Sequence, residues 1–464
     1  MWRLVTAGLL SLFVVNSRGM EMCERCNCSG GVVNCSLKRM EDHMNDTVWQ
    51  GIINVDVFIL DYNGFVHLKT FPLFGTSKLS IRHNLIAKID DGAFRFITNL
   101  TELDLSYNHL TSQSLTPHVF RGNYSPEKYE PLKNLEILRL SGNLLHSLHN
   151  DLFEHLPSLK VLTIDSNPFK ILDLSTSIAI ASVYNLQVLD LSSTMLKSLP
   201  DNLIHSPKYL TVMNLSSNYF TEIPKQLQEA HSLEELILND NPISKIRNCP
   251  LVKTLKVLRM DWMPALRTIE SRSLSNLTGL TELHCSHNRH LQFIAEDAFT
   301  LPPEGEEESP TWPPLAKIFL SHNDLRYLDF DLISRWDKLK QIDIQMNPWV
   351  CDCNNQWMLS TLIPYINQTN ASLTAGLVCN EPPELLDVSM YELSARNSKM
   401  RCLDLYGNRP ENDGRILVSI FICVMILIPI VMGAIVIFSY RFHRKSYSHN
   451  FSYIHIANQS KENI

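Results

Sequence analysis

A pattern of leucines ending on an asparagine, L-x-x-L-x-L-x-x-N-x-L, recurs about twelve times along this 464-residue chain. One copy is formed by Leu100, Leu103, Leu105, Asn108 and Leu110. From one repeat asparagine to the next the distance is mostly 22 to 25 residues. A fixed period of this length indicates a repeat solenoid, in which each unit buries its apolar face against its neighbours. The pattern therefore constrains the chain to a long curved array of stacked units.

Each L-x-L segment predicts a short parallel strand, because alternate side chains enter the core and those between them face outward. The asparagine after the strand is expected to bond backbone groups of neighbouring repeats. Thr194 can do part of this work, whereas Met263 cannot, so a looser turn is expected in the ninth repeat. The repeat asparagines or their replacements are Asn63, Asn84, Asn108, Asn143, Asn167, Thr194, Asn218, Asn241, Met263, Asn288, Asn323 and Asn347.

The two ends of the chain predict a membrane protein that is exported from the cytoplasm. Residues 1–19 combine a basic Arg3, an apolar run and small residues, which is typical of a secretory signal peptide. Residues 416–440 are almost wholly apolar and long enough to span a bilayer. The cluster Arg441, His443, Arg444 and Lys445 then places the C-terminus in the cytoplasm. We expect a single-pass type I protein of the plasma membrane with an extracellular N-terminus.

Eight of the eleven cysteines form two clusters that bracket the repeats. Clusters of this kind in a secreted chain indicate disulfides, and sequence alone allows three pairings within each cluster. Zinc binding is disfavoured because no second C-x-x-C or histidine pair lies at zinc spacing. The clusters are Cys23, Cys26, Cys28 and Cys35 before the repeats, and Cys351, Cys353, Cys379 and Cys402 after them.

With these clusters as caps, the chain resembles the extracellular leucine-rich repeat family whose cysteine-rich flanks are shared by Slit-like proteins, Toll-type ectodomains and adhesion receptors. The matching motifs are C-x2-C-x-C-x6-C from Cys23 and N-P-W-V-C-D-C from Asn347, with Trp357 after it. The resemblance covers about residues 23–402. By the family pattern the bridges join Cys23 to Cys28, Cys26 to Cys35, Cys351 to Cys379 and Cys353 to Cys402.

The resemblance implies an α/β leucine-rich repeat horseshoe with a parallel concave sheet, disulfide caps and one transmembrane helix. Cys249, Cys285 and Cys423 are left unpaired; Cys285 and Cys423 are read as apolar fillers, and an intermolecular bridge stays open for Cys249. The expected segments are a signal peptide at 1–19, an N-terminal cap at 20–52, about twelve repeats at 53–346, a C-terminal cap at 347–403, a stalk at 404–415, a transmembrane helix at 416–440 and a tail at 441–464.

Composition and motifs argue against catalysis and against nucleic-acid binding. The formal charge is −7 and the pI about 6.2, so no basic surface is indicated. A phosphate-cradling glycine loop, an H-E-x-x-H motif and a nucleophile elbow are all missing from the sequence. We therefore expect a non-enzymatic protein without a cofactor.

Recognition of another protein fits the pattern better, because outward strand positions line up into a concave face. The apolar and basic residues toward its C-terminal half, Arg259, Trp262, His284 and Phe319, are expected to be exposed and to bind ligand. Ordinary solvent-facing variation is the alternative for any one of them. The central column of the face is expected to be Ile59, Ser80, Asp104, Arg139, Thr163, Asp190, Asn214, Ile237, Arg259, His284, Phe319 and Asp343.

Two steps between repeat asparagines, from Asn108 to Asn143 and from Asn288 to Asn323, are 35 residues long. The second insertion is rich in proline and glutamate, and a solvated loop is favoured over a binding loop. Sequons predict glycosylation at Asn45, Asn99, Asn123, Asn214, Asn276, Asn367 and Asn370. A glycan on Asn214, in the concave column, would push a ligand toward one end.

The cytoplasmic tail is too short for a folded signalling domain. Tyr453 and Ile456 form a Y-x-x-apolar sorting motif, and the last residues resemble a PDZ ligand, so a sorting adaptor or PDZ protein is an expected partner. The leading hypothesis is a cell-surface receptor or adhesion protein that binds an extracellular protein, with homophilic binding left open. The alternative is a Toll-like innate-immune sensor or co-receptor that signals through a partner subunit.

Overall fold

The computed structural model describes residues 20–42, 54–122, 130–301, 311–333, 339–402 and 410–459. Several predicted features lie outside these ranges. They are the signal peptide at 1–19, the sequons at Asn45 and Asn123, most of the acidic insertion at 302–310, and the stalk residues 404–409.

The described residues contain many short strands and few helices, as the repeat pattern predicts. The strands are β1 (Asn27–Ser29), β2 (Val32–Asn34), β3 (Asn54–Ile59), β4 (His67–Leu68), β5 (Phe74–Ser80), β6 (Lys88–Ile89), β7 (Ile97–Thr98), β8 (Glu102–Asp104), β9 (Ile137–Arg139), β10 (Val161–Thr163), β11 (Val188–Asp190), β12 (Val212–Asn214), β13 (Glu235–Ile237), β14 (Lys245–Ile246), β15 (Val257–Arg259), β16 (Thr268–Ile269), β17 (Glu282–His284), β18 (Phe293–Ile294), β19 (Lys317–Phe319), β20 (Gln341–Asp343), β21 (Trp349–Val350) and β22 (Cys379–Glu381).

The α-helices are α1 (Met20–Arg25), α2 (Leu174–Ala181), α3 (Ile363–Asn370), α4 (Met390–Ala395) and α5 (Pro410–Gln459). Short 3₁₀ helices occupy Pro117–Phe120, Lys225–Glu229, Asp331–Ile333, Cys353–Asn355, Ala371–Thr374 and Pro383–Leu385, and one π-helical turn covers Met358–Leu362. Most of these short helices lie between strands of the repeats or in the C-terminal cap.

One sheet of fifteen strands runs through the described part of the chain and forms the concave face. Its strands follow the order β1-β2-β3-β5-β8-β9-β10-β11-β12-β13-β15-β17-β19-β20, with β7 beside β5. Leu103 lies opposite Leu79 and Leu138, and all three are fully buried. Because side chains alternate along a strand, a slip of one residue would bring these leucines to the surface. The buried leucines thus fix the register from repeat to repeat.

The repeat asparagines bind each unit to the one before it. The Asn108 amide nitrogen donates to the Ile81 carbonyl at 2.9 Å and to the Leu105 carbonyl at 3.0 Å, and its oxygen accepts from the Ile86 amide at 3.2 Å. Leu105 belongs to the same repeat, whereas Ile81 and Ile86 belong to the preceding one. Asn63 of the first repeat donates in the same way to the Cys35 carbonyl of the N-terminal cap. The same donation to a carbonyl of the preceding repeat is made by Asn84, Asn143, Asn167, Asn218, Asn241, Asn288, Asn323 and Asn347.

Thr194 and Met263, the two residues that stand in place of a repeat asparagine, make different contacts. The Thr194 hydroxyl donates to the Leu191 carbonyl at 2.6 Å within its own repeat. Met263 offers no polar group, yet the turn keeps the backbone of the others, with a φ of +60° at Trp262. The Met263 amide donates to the Asn288 side-chain oxygen at 2.6 Å. The expected looser turn is therefore not found, because the following repeat holds this one in place.

The convex side completes a continuous core. Phe94 stacks between Phe71 and Phe120, with ring centroids 6.0 and 6.4 Å apart, and all three are buried. Short parallel strands β14, β16 and β18 form a second row on this side, as do β4 and β6. Helix α2 replaces such a strand in one repeat, and the Asp173 carboxylate caps it by accepting from the Thr176 amide.

The two insertions leave the array without disturbing it. Strands β8 and β9 pair directly across the first long step, and β17 and β19 across the second. At the second insertion the chain leaves and returns at one bridge, where Leu301 and Thr311 exchange two backbone hydrogen bonds of 2.9 and 3.1 Å. Arg121 and Pro131 form the corresponding antiparallel bridge at the first. The register of the concave sheet thus continues across both insertions.

Disulfide-bonded caps close both ends of the array. The N-terminal hairpin of β1 and β2 adds to the sheet through β2 and β3, which shields its first edge. In the C-terminal cap, Trp349 is fully buried and its indole donates to the Ile344 carbonyl at 3.2 Å. The bridges are Cys23–Cys28, Cys26–Cys35, Cys351–Cys379 and Cys353–Cys402, which are the pairs that the family resemblance implies.

Beyond the cap lies helix α5, a single helix of 50 residues. Within it, Ile416–Arg441 has a mean hydropathy of 3.2 over its most apolar stretch and is not covered by other described residues. These 26 residues measure about 39 Å along a helix, against an apolar bilayer thickness of about 30 Å. By length and composition, this is the one described segment able to cross a membrane.

Candidate binding face

The outward side chains of the concave sheet form one continuous column. Each member lies opposite the next in the parallel register, from Ile59 opposite Ser80 at one end to Phe319 opposite Asp343 at the other. The pairing between these ends includes Asp104 with Arg139 and Arg259 with His284. The structure therefore brings together the column that the repeat pattern predicts, including three of the four predicted ligand-binding residues.

Arg259, His284 and Phe319 are neighbours on the adjacent strands β15, β17 and β19. The imidazole of His284 stacks on the Phe319 ring, with centroids 4.5 Å apart. Its Nε2 atom lies 2.6 Å from the Glu282 carboxylate and 3.2 Å from the Arg259 guanidinium. One ring nitrogen cannot both donate and accept, so the shorter contact is the hydrogen bond, with His284 donating to Glu282. Arg259 is held by Glu235, which accepts from its Nε at 2.7 Å.

Glu282 is the acidic centre of this network. Burial acts to raise its pKa, but hydrogen bonds from His284 and Lys317 outweigh burial and lower it. The Lys317 ammonium lies 3.0 Å from the second carboxylate oxygen. Glu282 therefore stays ionised and holds a histidine and a lysine in fixed positions on the concave surface.

The column residues are less exposed than the sequence suggested. The side chain of Arg259 is 33% exposed and that of His284 is 16% exposed. The expectation of freely exposed residues is wrong for this pair, because side chains of neighbouring strands pack against each other across the sheet. The patch presents ring edges and charged groups rather than protruding side chains.

Trp262 lies outside the column, in a second row along the edge of the concave face. Its indole is 60% exposed and stacks on His287, with centroids 4.0 Å apart and planes within 2°. His287 in turn stacks on His322 at 4.3 Å. We call Trp262, His287 and His322 the edge ladder. We call Arg259, His284 and Phe319 the column patch. Each residue of the edge ladder lies three positions after one of them in the sequence, so the two rows run side by side over three repeats.

The edge ladder results from the backbone conformation of the residue before each repeat asparagine. This residue has a positive φ in all twelve repeats, a conformation that turns its side chain away from the strand direction. Sequence reasoning missed His287 and His322, although the residue preceding each repeat asparagine was visible as a column of its own. The residues in this position are Tyr62, His83, Tyr107, Gly142, Ser166, Ser193, Ser217, Asp240, Trp262, His287, His322 and Met346.

The same edge carries a second stack near the N-terminal cap. Tyr62, His83 and Tyr107 lie parallel, with successive centroids 4.4 Å apart. The Arg82 guanidinium lies 5.8 Å from the centroid of Tyr107, within range of a cation–π contact. The ring of Tyr107 extends over Gly142, where a Cβ atom would lie 2.5 Å from the ring. The stack therefore ends on a position that only glycine leaves open.

A cleft of about 810 Å³ opens beside Trp262. It lies among residues at or near the repeat-asparagine positions of five successive repeats. Its lining consists of Ser217, Asn239, Asp240, Trp262, Met263, Pro264, His287, Arg289 and His322.

The described sequons differ in how accessible their amides are. Asn99 is exposed and has a φ of +65°, and Asn367 and Asn370 lie on helix α3. Asn276 is partly buried and donates to the Cys249 carbonyl at 2.9 Å. Asn214 lies within the concave column, where its amide donates to Asp190 at 3.0 Å and accepts from the Ser216 amide.

The unpaired cysteines of the repeats are sealed in the core. Cys249 is 2% exposed and Cys285 is fully buried. Burial raises the pKa of Cys249 to about 12 and also raises that of Cys285. An intermolecular bridge through Cys249, which the sequence left open, would require the repeat to open. The sorting-motif residues Tyr453 and Ile456 lie on the C-terminal part of helix α5.

Comparison with known proteins agrees with this geometry. The leucine rich repeat family model matches residues 75–125, 125–169 and 184–243. Lumican of Coturnix japonica is 31% identical over 236 residues, which are 48% of this chain and 61% of lumican. CD180 antigen of Mus musculus is 23% identical over 351 residues, which are 74% of this chain and 46% of that protein. The chain thus spans between about half and three fifths of the length of these relatives.

Among solved structures, the Toll–Spatzle complex of Drosophila superposes with a TM-score of 0.50 at 20% identity, covering 76% of this chain and 56% of that one. At this identity the similarity concerns the fold. Fold, repeats and caps together define a capped solenoid with a continuous concave sheet. The chain carries leucine-rich repeats that match this family model over the three ranges given above.

Proposed function

We propose that this chain is a non-enzymatic cell-surface receptor or adhesion protein that binds an extracellular protein through its concave face. The observation that carries the proposal is the pair of parallel rows in the C-terminal half, the column patch and the edge ladder. Together they place a tryptophan, a phenylalanine, an arginine and three histidines on three consecutive repeats. Tryptophan and arginine are the residues that most often dominate the binding energy of protein interfaces.

The proposed location is the plasma membrane, with the solenoid outside the cell and helix α5 crossing the bilayer. Four disulfides fit an oxidising compartment, and Ile416–Arg441 fits a bilayer span. The proposed domain limits are those given by the sequence, with the spanning segment at 416–440, and the candidate span Ile416–Arg441 supports this part of them. Tyr453 and Ile456 remain the proposed sorting signal for a cytoplasmic adaptor.

The test of the site is a binding comparison on cells that express the full chain. Arg259→Ala, Trp262→Ala and Phe319→Ala, separately and together, are expected to weaken capture of an extracellular protein ligand by tenfold or more in the triple variant, as buried interface anchors do. Tyr62→Ala and Tyr107→Ala serve as matched controls, because they remove exposed aromatic rings from the opposite end of the same edge. Unchanged binding by the triple variant would remove this site from the proposal.

Homophilic adhesion is tested by expressing the full chain in cells that do not otherwise aggregate. Clusters of expressing cells support adhesion between copies of the chain, whereas single cells remove homophilic binding and leave a heterophilic ligand. Mixed populations with differently labelled non-expressing cells distinguish the two arrangements directly.

A second candidate is an innate-immune sensor or co-receptor that signals through a partner subunit. Similarity to CD180 antigen over 74% of this chain favours it. Its test is capture of microbial ligands and soluble host proteins by the immobilised chain, with the column-patch variants as controls. Failure to bind across a broad panel would count against this candidate.

A further inference from the structure

The edge ladder stops at Trp262, and this leaves one face of the indole open. One face of the ring is covered by His287 at a centroid distance of 4.0 Å. The opposite face therefore points toward the preceding repeat. The indole as a whole stays 60% exposed, so this second face is not covered by another ring in the described part of the chain.

The preceding repeats have short side chains at the same position. The residue before the repeat asparagine is Asp240 in the eighth repeat and Ser217 in the seventh, each with a positive φ like that of Trp262. These two residues and Trp262 line the same cleft of about 810 Å³. The row of rings is thus followed by an open space that has an indole for one wall and a carboxylate beside it.

The carboxylate in this space is unusual among the acids of the concave edge. Asp61 accepts hydrogen bonds from Ser80 and from the Arg82 amide, and Asp165 accepts from Ser141. The Asp240 side chain is exposed and has no hydrogen bond or ion pair within the described residues. It is therefore free to receive a cation from outside the molecule.

An indole face and a free carboxylate together match a basic side chain. A cation within about 6 Å of a tryptophan centroid is attracted by the ring, and an arginine guanidinium also stacks flat on it. The guanidinium plane leaves its N–H groups directed outward in the plane, where a carboxylate can accept them. Arg289 also lines the cleft, so a second cation on the ligand would be repelled by it.

We propose that the cleft beside Trp262 receives a single arginine side chain of the protein ligand, stacked on the open indole face and paired with Asp240. This inference rests on the proposed function, in which the ligand is a protein, and it specifies one residue that the ligand presents. The indole of Trp262 stacks on the guanidinium, and the Asp240 carboxylate pairs with its charge. Arg289 disfavours a second basic residue next to this arginine on the ligand.

The test uses small probes and the full chain in detergent micelles, with its seven tryptophans replaced by 5-fluorotryptophan. The Trp262→Phe variant identifies the fluorine resonance of Trp262. N-acetyl-arginine amide is titrated against this resonance, and N-acetyl-citrulline amide, which has nearly the same shape without the charge, is the matched probe. We expect a saturating shift with the arginine probe and at least about fivefold weaker binding of citrulline, the range of an exposed ion pair and cation–π contact.

Asp240→Asn removes the countercharge, and asparagine tolerates the positive φ of this position. We expect this variant to weaken the arginine probe about threefold to fivefold, the contribution of an exposed ion pair. Glu222→Gln, which neutralises an exposed acid outside the cleft, is the control and should leave the titration unchanged. An equal response to both probes, or no effect of Asp240→Asn, overturns the proposal. The probes need no protein ligand, so failure of the proposed function is recorded separately, by the cell-binding comparison.

Discussion

The indole of Trp262 and the imidazole of His287 lie face to face, with centroids 4.0 Å apart and planes within 2° of parallel. The two residues are 25 positions apart in the chain and occupy the same place in consecutive repeats. Residues one repeat apart in the sequence are stacked next to each other in the solenoid. A side chain therefore lies beside the side chains at the same position in the repeats before and after it. The stability of this surface can be altered one repeat position at a time.

Protonation of the ladder is expected to destabilise the fold. Burial and the neighbouring His322 lower the pKa of His287 below its usual value of 6.5. The unfolded chain then binds the proton more readily than the folded chain. The contribution of His287 to the free energy of unfolding is therefore fully present at neutral pH and is lost as the pH drops through 6.5 toward the lowered pKa. We expect His287→Gln to reduce the loss of Tm between about pH 8 and pH 5. An unchanged pH dependence in this variant would contradict the prediction.

Removal of one repeat asparagine is expected to weaken two repeats together. Asn167 is 1% exposed, donates to the Leu140 carbonyl at 2.9 Å and accepts from the Leu145 amide at 3.0 Å, both in the preceding repeat. Asn167→Ala leaves these buried groups unpaired, at a cost of about 2–4 kcal/mol in the free energy of unfolding. Chemical denaturation of the full chain measures it, and Thr194→Ala should cost less, because the Thr194 hydroxyl bonds to Leu191 and Asn218 but to no group of the preceding repeat.

Substitution at Gly142 is expected to disturb the N-terminal stack. The φ of Gly142 is +63°, and a Cβ atom there would lie 2.5 Å from the Tyr107 ring. Gly142→Ala therefore combines backbone strain of about 1–2 kcal/mol with displacement of the ring. In a Tyr107→Ala background the steric part disappears, so a double-mutant cycle separates it from the strain. Equal costs in both backgrounds would show that the ring moves freely.

The buried thiols are expected to resist modification until the repeats unfold. Burial raises the pKa of Cys249 to about 12, so almost no thiolate is present at about pH 8. Iodoacetamide should leave Cys249 and Cys285 unlabelled in the native chain and label both in guanidinium, as read by mass spectrometry of the peptides. Labelling of Cys249 without denaturant would reveal local opening of its repeat.

Glycan occupancy is expected to follow the freedom of the sequon amides. Asn99 is exposed, whereas Asn276 is partly buried and donates to the Cys249 carbonyl. A sugar on Asn276 would have to displace this bond. Enzymatic deglycosylation in water enriched in oxygen-18, followed by mass spectrometry, should label Asn99 and leave Asn276 unlabelled. The reverse pattern would show that modification precedes formation of this repeat.

The sequence predicted the concave sheet well, because the leucine positions and the strand alternation are both local patterns. The column from Ile59 to Asp343 follows directly from counting within each repeat. Sequence could not show that Arg259 and His284 would be half-buried, since their exposure depends on side chains supplied by neighbouring repeats. The same holds for the bond between His284 and Glu282, two residues of one strand that meet only because the intervening side chain points inward.

The edge ladder was harder to predict, although its residues recur at a fixed repeat position. The positive φ before each repeat asparagine redirects the side chain, and strand alternation alone does not report that turn. Met263 shows the converse. Its loss of an asparagine suggested a looser turn, yet the turn is held because the Met263 backbone amide still donates to the side-chain oxygen of Asn288 in the following repeat. Hydrogen bonds between neighbouring repeats are therefore seen only in the folded structure, where both repeats are in position.

Every repeat asparagine reaches back toward the N-terminal side, and this makes the array mechanically directional. A pull that enters from a membrane anchor would first meet the C-terminal cap, which two disulfides cross-link. If the cap yields, Asn347 detaches and the preceding turn loses its support, so rupture would spread toward the N-terminus. A load applied at the N-terminal end removes a repeat without taking an asparagine from the next one. The molecule is thus built to bear tension through a covalently locked end.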